Sequence, residues 1–247
     1  MSEAEIVTIR CLQDNYAYLL HANGRTALFD APEAAPILAA LAERGWTLDQ
    51  ILLTHHHDDH IQAVPELVAA TGAKVTGARA DAHRLPPLDV AVAPGETTDA
   101  AGLSASVIDV SGHTVGHIAF HLPDARAAFT GDSLMAIGCG RIFEGDAAMM
   151  WNSLQRLDAL PAETLICSGH DYCAGNSAFA LSVDPENEDL LERMRTTAAG
   201  PRPCAPATLA EERLTNPFLR ADVLGPSLGT DDPAHAFATL RAMKDRF

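Results

Sequence analysis

The stretch Thr54-His55-His56-His57-Asp58-Asp59-His60 places four metal-competent side chains, His55, His57, Asp59 and His60, within six positions. It follows the apolar run Gln50-Ile51-Leu52-Leu53. Alternate side chains of an extended segment point the same way, so His55 and His57 can converge on one point. Once the chain turns, Asp59 and His60 can face a second point beside it. Imidazole and carboxylate suit zinc and its borderline relatives. Three further segments share this texture: Val110-Ser111-Gly112-His113, Phe129-Thr130-Gly131-Asp132 and Cys167-Ser168-Gly169-His170. In each, a glycine precedes the candidate ligand and allows a tight turn after an apolar run. Ligands delivered from several strand ends are what a loop-built metal site on a rigid scaffold needs. The chemistry implied is activation of water, whose pKa falls from about 15.7 toward ~7 on a metal. A His-rich stretch standing alone could be a solvated turn, and the three accompanying segments weigh against that.

The elements that must position these residues can be read from pattern. Strands are expected over 6–9, 16–20, 26–29, 50–53, 74–76, 90–92, 103–110, 118–122, 127–130 and 164–167. These are β-branched or apolar runs, punctuated by turn residues such as Asp14-Asn15. Helical spacing covers 32–44, with Ile37, Leu38 and Leu41 on one face and Gly45 as a stop. It recurs over 61–70, ended by Thr71-Gly72, and over 147–160, where Met149, Met150, Trp151, Leu154 and Leu157 are core residues. From about Cys173 the pattern changes to helices over 174–181, 186–197, 208–214 and 234–244, with no clear strand. Pro201, Pro203 and Pro206 form a stiff connector among them. A mixed α/β domain over 1–172 and a small helical domain over 173–247 follow.

A chain of 247 residues with 47% hydrophobic and 20% charged residues can bury a sizeable core. A formal net charge of -16 argues against a nucleic-acid partner. No apolar run reaches the ~18 residues of a membrane span, and the opening residues have no secretory pattern, so a cytoplasmic protein without a membrane partner is expected. Cys11, Cys139, Cys167, Cys173 and Cys204 contain no C-x-x-C pair and are read as reduced thiols. Cys139 is placed on a loop near the site. His56 should point away from its neighbours' target, His117 should be buried or support a ligand, and His21, His83, His121 and His235 read as surface or structural residues.

The pattern His55, His57, Asp59, His60 resembles the metallo-β-lactamase superfamily. The likeness narrows to the glyoxalase II (hydroxyacylglutathione hydrolase) family through several segments. These are Cys11 to Tyr16, Phe129 to Gly145, Ser168 to Asn176, Asn216 to Arg220 and Arg241 to Phe247. The resemblance implies an αββα sandwich of the α/β class, followed by a small all-helical C-terminal domain. It implies two divalent ions, zinc foremost, with iron or manganese also tolerated by such ligands. His55, His57 and His113 would hold one ion, Asp59, His60 and His170 the other, and Asp132 would bridge them. The implied reaction is hydrolysis of S-(2-hydroxyacyl)glutathione by a metal-bridging hydroxide, with no side-chain nucleophile. The implied partner is that small-molecule thioester, and the chain would act as a monomer.

Glutathione carries two carboxylates, so an acidic protein needs local cations for it. Arg241 and Lys244 share a helix face at this spacing, and Arg141 follows Asp132 by nine residues. The resemblance gives these three, Phe143 and Tyr172 contacts to the glutathione moiety; a solvated helix face is the alternative for Arg241 and Lys244. Phe143 stands where the family commonly has tyrosine, and Arg141 where many relatives have lysine. Asp58 replaces a common aromatic residue and should point away from the metals. Gln62-Ala63 replaces a glycine pair, and Gln62 could narrow the approach. Lactonase, β-lactamase, persulfide oxygenase and nuclease activities occur on the same fold. The seven-ligand set disfavours the oxygenase, Asp132 as a bridge disfavours β-lactamase, and the charge disfavours the nuclease. Lactonase is the closest rival, opposed by the C-terminal segments alone.

Overall fold

Three antiparallel strands form within the first 29 residues: β1 (Glu5–Cys11), β2 (Asn15–Ala22) and β3 (Arg25–Phe29). Asn23 and Gly24 join β2 to β3 with positive φ at both positions, the geometry a two-residue hairpin loop requires. The structure is a computed structural model and describes residues 4–198 and 203–247. Pro201 of the expected connector and the first three residues lie outside the described residues. Contacts group the chain into two units, 1–109 with 116–131, and 110–115 with 132–247.

In the first unit the chain continues through α1 (Ala34–Arg44), β4 (Gln50–Leu52), α2 (Asp58–Ile61), α3 (Val64–Thr71), β5 (Lys74–Ala78) and β6 (Val90–Val92). Strands β3 to β6 run parallel and complete a six-stranded sheet in the order β1 to β6. Gly45 and Gly72 stop α1 and α3 in the left-handed conformation. Next come β7 (Thr97–Ala100), β8 (Leu103–Asp109), β9 (Ile118–Leu122) and β10 (Ala127–Gly131), each antiparallel to its neighbour.

Alternation decides which residues join the two sheets. Tyr18 and Phe29 are paired across β2 and β3, as are Leu19 and Leu28 on the opposite face. The Phe29 ring stacks on Phe129 of β10 with centroids 3.5 Å apart, and Phe120 of β9 lies 5.8 Å from Phe29. Tyr18 meets Phe129 edge-on at 5.8 Å. This aromatic layer holds the sheets face to face. Leu19 and Leu28 are also buried, so the other face is covered as well. The right-handed crossovers of parallel strands carry α1 and α3 to that side, and α1 packs on α3.

The second unit contains a short hairpin, β11 (Leu134–Met135) with β12 (Gly138–Cys139), then α4 (Ala147–Asp158) and β13 (Leu165–Ser168). Helices α5 (Cys173–Val183) and α6 (Glu188–Ala198) precede β14 (Ala207–Thr208), α7 (Leu209–Thr215), α8 (Ala221–Leu224) and α9 (Pro233–Lys244). Asp146 caps α4, Asp232 caps α9, and Thr208 with Glu211 forms a capping box on α7. Phe237 on α9 packs against Trp151 on α4 and against Phe218, which in turn meets Phe179 on α5. Among the described residues, no helix is long and apolar enough to cross a membrane.

Two expectations are corrected. A strand does follow Cys173: Ala207 and Thr208 pair with Ile166 and Leu165. Two residues are too few to show a period of two. The cysteines are not all reduced thiols, because Cys173 and Cys204 form a disulfide. They are 31 residues apart in sequence, and the fold brings their Cα atoms to 6.1 Å. Cys11, Cys139 and Cys167 are buried and lie outside that disulfide.

Phe129→Ala should lower the unfolding free energy by about 3–5 kcal/mol, read from the urea midpoint. A loss below about 1 kcal/mol would show that the aromatic layer does not join the sheets.

Candidate metal centre

In the first unit, the chain leaves β4 extended through His57 and then enters α2. His55 and His60 are buried, and His57 and Asp59 partly so. His55 Nε2 lies 3.2 Å from His57 Nδ1, and His60 Nε2 lies 3.7 Å from Asp59 Oδ2. The alternate residues His55 and His57 thus lie side by side, and the first turn of α2 presents Asp59 and His60.

The remaining ring nitrogens reveal a residue that sequence reading missed. Asp30, buried and in the left-handed conformation just after β3, accepts hydrogen bonds from Thr54 N and Thr54 Oγ1, each at 2.8 Å. Its Oδ2 also lies 2.8 Å from His60 Nδ1. The Thr54 hydroxyl has given its hydrogen to Asp30, so it can only accept from His55 Nδ1, 3.0 Å away. The carboxylate likewise can only accept from His60. Both Nδ1 atoms therefore carry protons, and both Nε2 atoms are left with lone pairs. Asp30 lies within 4.8 Å of donor atoms of His55 and His60 and could itself be mistaken for a ligand. Its oxygens are instead engaged by Thr54 and His60. The available signal was an acid directly after an apolar strand, Phe29-Asp30, without the glycine that marks the other segments. Asn15 was also missed as a positioning group: its amide donates to Asp59 O at 3.0 Å and Asp59 Oδ2 at 2.9 Å.

The neighbouring residues behave as their types suggest. His56 turns to Asp81, with Nδ1 3.0 Å from Oδ2. His117 is buried and stacks on His55 with centroids 4.6 Å apart. Gly131 must be glycine, since a Cβ there would stand 2.5 Å from Thr54 Oγ1. Asp58 is exposed at the start of α2, and Gln62 Nε2 donates to Pro32 O.

In the second unit, His113, Asp132 and His170 are buried together. His113 Nε2 and His170 Nε2 lie 3.4 and 3.3 Å from the same oxygen, Asp132 Oδ2. His113 Nδ1 donates to Arg141 O at 2.7 Å, which again leaves Nε2 as the lone-pair nitrogen. One carboxylate oxygen between two imidazoles from different loops is the arrangement a shared ligand needs.

Exposed rings adjoin both histidines. Phe143, 62% exposed, meets His113 edge-on at 5.3 Å. Tyr172 stacks on His170 at 4.6 Å. Arg141 is exposed, with Nε 3.6 Å from Asp245 Oδ1. Arg241 is only 6% exposed and so is no solvated helix face. It donates to Cys139 O and Asp245 Oδ1, each at 2.9 Å, and lies over Phe218. Lys244 Nζ donates to Gly175 O at 2.7 Å. Burial, helped by the nearby Arg241 charge, holds the Lys244 ammonium pKa below the ordinary lysine value. Burial raises the Cys139 thiol, which is therefore no nucleophile.

The metallo-β-lactamase superfamily model matches residues 13–170, and the hydroxyacylglutathione hydrolase C-terminus model matches 171–247. The chain belongs to the hydroxyacylglutathione hydrolase family of that superfamily. A hydroxyacylglutathione hydrolase of Jannaschia sp. (strain CCS1) is 57% identical over 256 residues, covering 100% of both chains. One from Fuscovulum blasticum is 59% identical over 254 residues, covering 98% of each. The crystal structure of TTHA1623 in a di-iron-bound form superposes with a TM-score of 0.63 at 29% identity, covering 87% of this chain and 100% of that one. The family bears out the metallo-β-lactamase fold with a helical C-terminal region, and the His/Asp donor clusters fit divalent metals.

Asp30→Asn keeps the side-chain shape but removes the charge that holds His60 and Thr54. Metal affinity should fall about 10–100-fold in a chelator competition. Unchanged affinity would remove Asp30 from the support of the site.

Proposed function

We propose that this chain hydrolyses the thioester of S-(2-hydroxyacyl)glutathione, such as S-lactoylglutathione, to glutathione and a 2-hydroxy acid. The observation that carries this reading is the family match through residues 171–247. The metal donors alone are shared with lactonases; the C-terminal segment is what separates the two. Residues 1–172 serve as the catalytic domain and 173–247 as the substrate-binding domain. The protein acts as a cytoplasmic monomer.

The ligand assignment is part of the proposal. His55, His57 and His113 would hold one ion, Asp59, His60 and His170 the other, and Asp132 would be shared by both. The tautomers favour it, since His55, His60 and His113 each keep Nε2 as the lone-pair nitrogen. The donor chemistry suits zinc, and iron or manganese would also be accommodated. Five neutral imidazoles and two carboxylates leave a pair of divalent ions with a net charge of about +2. When bound, the ions supply hydroxide near neutral pH and polarise the thioester carbonyl.

The chain's own residues hold and orient the substrate. Arg141 and Lys244 present cations to its two carboxylates, and the exposed faces of Tyr172 and Phe143 border the donors His170 and His113. Arg241 acts from a buried position, holding the carbonyl of Cys139 and the carboxylate of Asp245. The leaving thiolate derives from a thiol of pKa ~8.5 and departs without a strong side-chain acid. No side-chain nucleophile is invoked.

A thioesterase assay on S-lactoylglutathione, run beside an acyl-homoserine lactone, separates the two readings. Thioester turnover should dominate, and faster lactone opening would overturn the proposal. Asp132→Ala should abolish turnover. Arg241→Ala and Lys244→Ala should mainly raise KM; unchanged kinetics in both would remove the glutathione assignment of α9. Binding needs the protonated form of Lys244, and its pKa is depressed. KM should therefore climb on the alkaline side at a lower pH than an ordinary lysine of pKa ~10.4 would give. In Lys244→Arg that rise should be absent, and a persistent rise would assign the titration elsewhere.

A further inference from the structure

Cys173 opens α5 and is bonded to Cys204, and neither the metal donors nor the proposed hydrolysis uses this pair. The two cysteine residues differ in exposure. Cys204 is 8% exposed, whereas Cys173 is half-buried. Tyr172, the preceding residue, stacks on His170. Gly175, two residues on, accepts from Lys244 Nζ, and a Cβ built on Gly175 would stand 3.8 Å from that ammonium. Arg241 adds to the positive charge beside Lys244. The more exposed cysteine of the pair therefore lies two residues from a carbonyl that holds a cation and next to a ring stacked on His170.

We propose that Cys173 is a site of reversible S-thiolation by an anionic thiol, with glutathione as the thiol meant. The choice of glutathione and the expected effect on KM rest on the function proposed above. Thiol–disulfide exchange is governed by the attacking thiolate, by access to the sulfur and by the leaving group. The greater exposure of Cys173 directs attack to its Sγ. A new sulfur–sulfur bond forms there, the Cys173–Cys204 bond breaks, and the electron pair leaves on Cys204, which takes up a proton from water. The product is a mixed disulfide on Cys173 and a free thiol on Cys204. A second glutathione thiolate then attacks the glutathione sulfur of the adduct. It forms oxidised glutathione and releases Cys173 as a thiolate, which the N-terminus of the 11-residue helix α5 stabilises. Two thiols are oxidised to one disulfide as the protein disulfide is reduced to two thiols. Thiolation adds a carboxylate-bearing group next to Tyr172 and Lys244, so it should weaken binding of a dianionic substrate.

The full-length, metal-loaded protein is purified without reductant, its free thiols are counted after denaturation, and it is then incubated with glutathione or with cationic cysteamine. Exchange is stopped by alkylation and mapped by peptide mass spectrometry. We expect three free thiols at the start, a first adduct on Cys173 with Cys204 alkylated, and glutathione reacting several-fold faster than cysteamine per thiolate. High salt and Lys244→Met should both narrow that preference. Cys204→Ser, which cannot form the disulfide, should yield no adduct with reduced glutathione. The thiolated protein should show a KM for S-lactoylglutathione raised at least about twofold over the oxidised form. Five free thiols at the start, an adduct on Cys204, no charge preference, or equal KM in the two forms would each overturn the proposal. Absence of thioester turnover in every form would instead sink the functional reading, and the adduct map would still decide the thiolation site.

Discussion

The carboxylate of Asp30 is the constraint on which the first half of the donor set depends. A histidine is a metal ligand only through a nitrogen that holds no proton. With both ring nitrogens available, a neutral imidazole can present either one. Asp30 removes that freedom twice, directly at His60 and through the Thr54 hydroxyl at His55. Its backbone sits in the left-handed conformation, which few residues other than glycine adopt. Three hydrogen bonds from Thr54 and His60 compensate that conformation and the burial of the charge.

Elsewhere the same task is given to the backbone. His113 is oriented by the carbonyl of Arg141, so the loop that presents a cation to solvent also sets a donor's tautomer. The loop is pressed close: a Cβ on Gly140 would collide with Asp132 O. Arg241 holds the neighbouring carbonyls of Cys139 and Gly140. Its charge thus serves the shape of this loop as much as the electrostatics of the surface, and a lysine could not reproduce the forked contact.

The aromatic residues divide into two populations. Phe29, Phe120 and Phe129 are buried, and they join the sheets that carry the strand ends. Phe143 and Tyr172 stay exposed, each against a donor histidine. Family resemblance singles out both of these rings, and composition does not.

Much of this was legible before any coordinates. Periods of two and of 3.6 placed most strands and helices, because burial on one face imposes those periods directly. The donor residues stood out for a similar reason: each follows an apolar strand, and strand ends are where a sheet can offer side chains to a common point. Strands of two residues, such as β14, carry no period and were missed. The Asp30 relay, the orientation of Asp59 by Asn15 and the Cys173–Cys204 bond were likewise invisible. Each joins positions distant in the chain through contacts only a few ångströms long. Residue type and local spacing determine which groups can bind a metal and what element carries them. Only the tertiary structure decides which nitrogen holds the proton, which cation is buried and which thiols meet, because those depend on neighbours that sequence spacing does not specify.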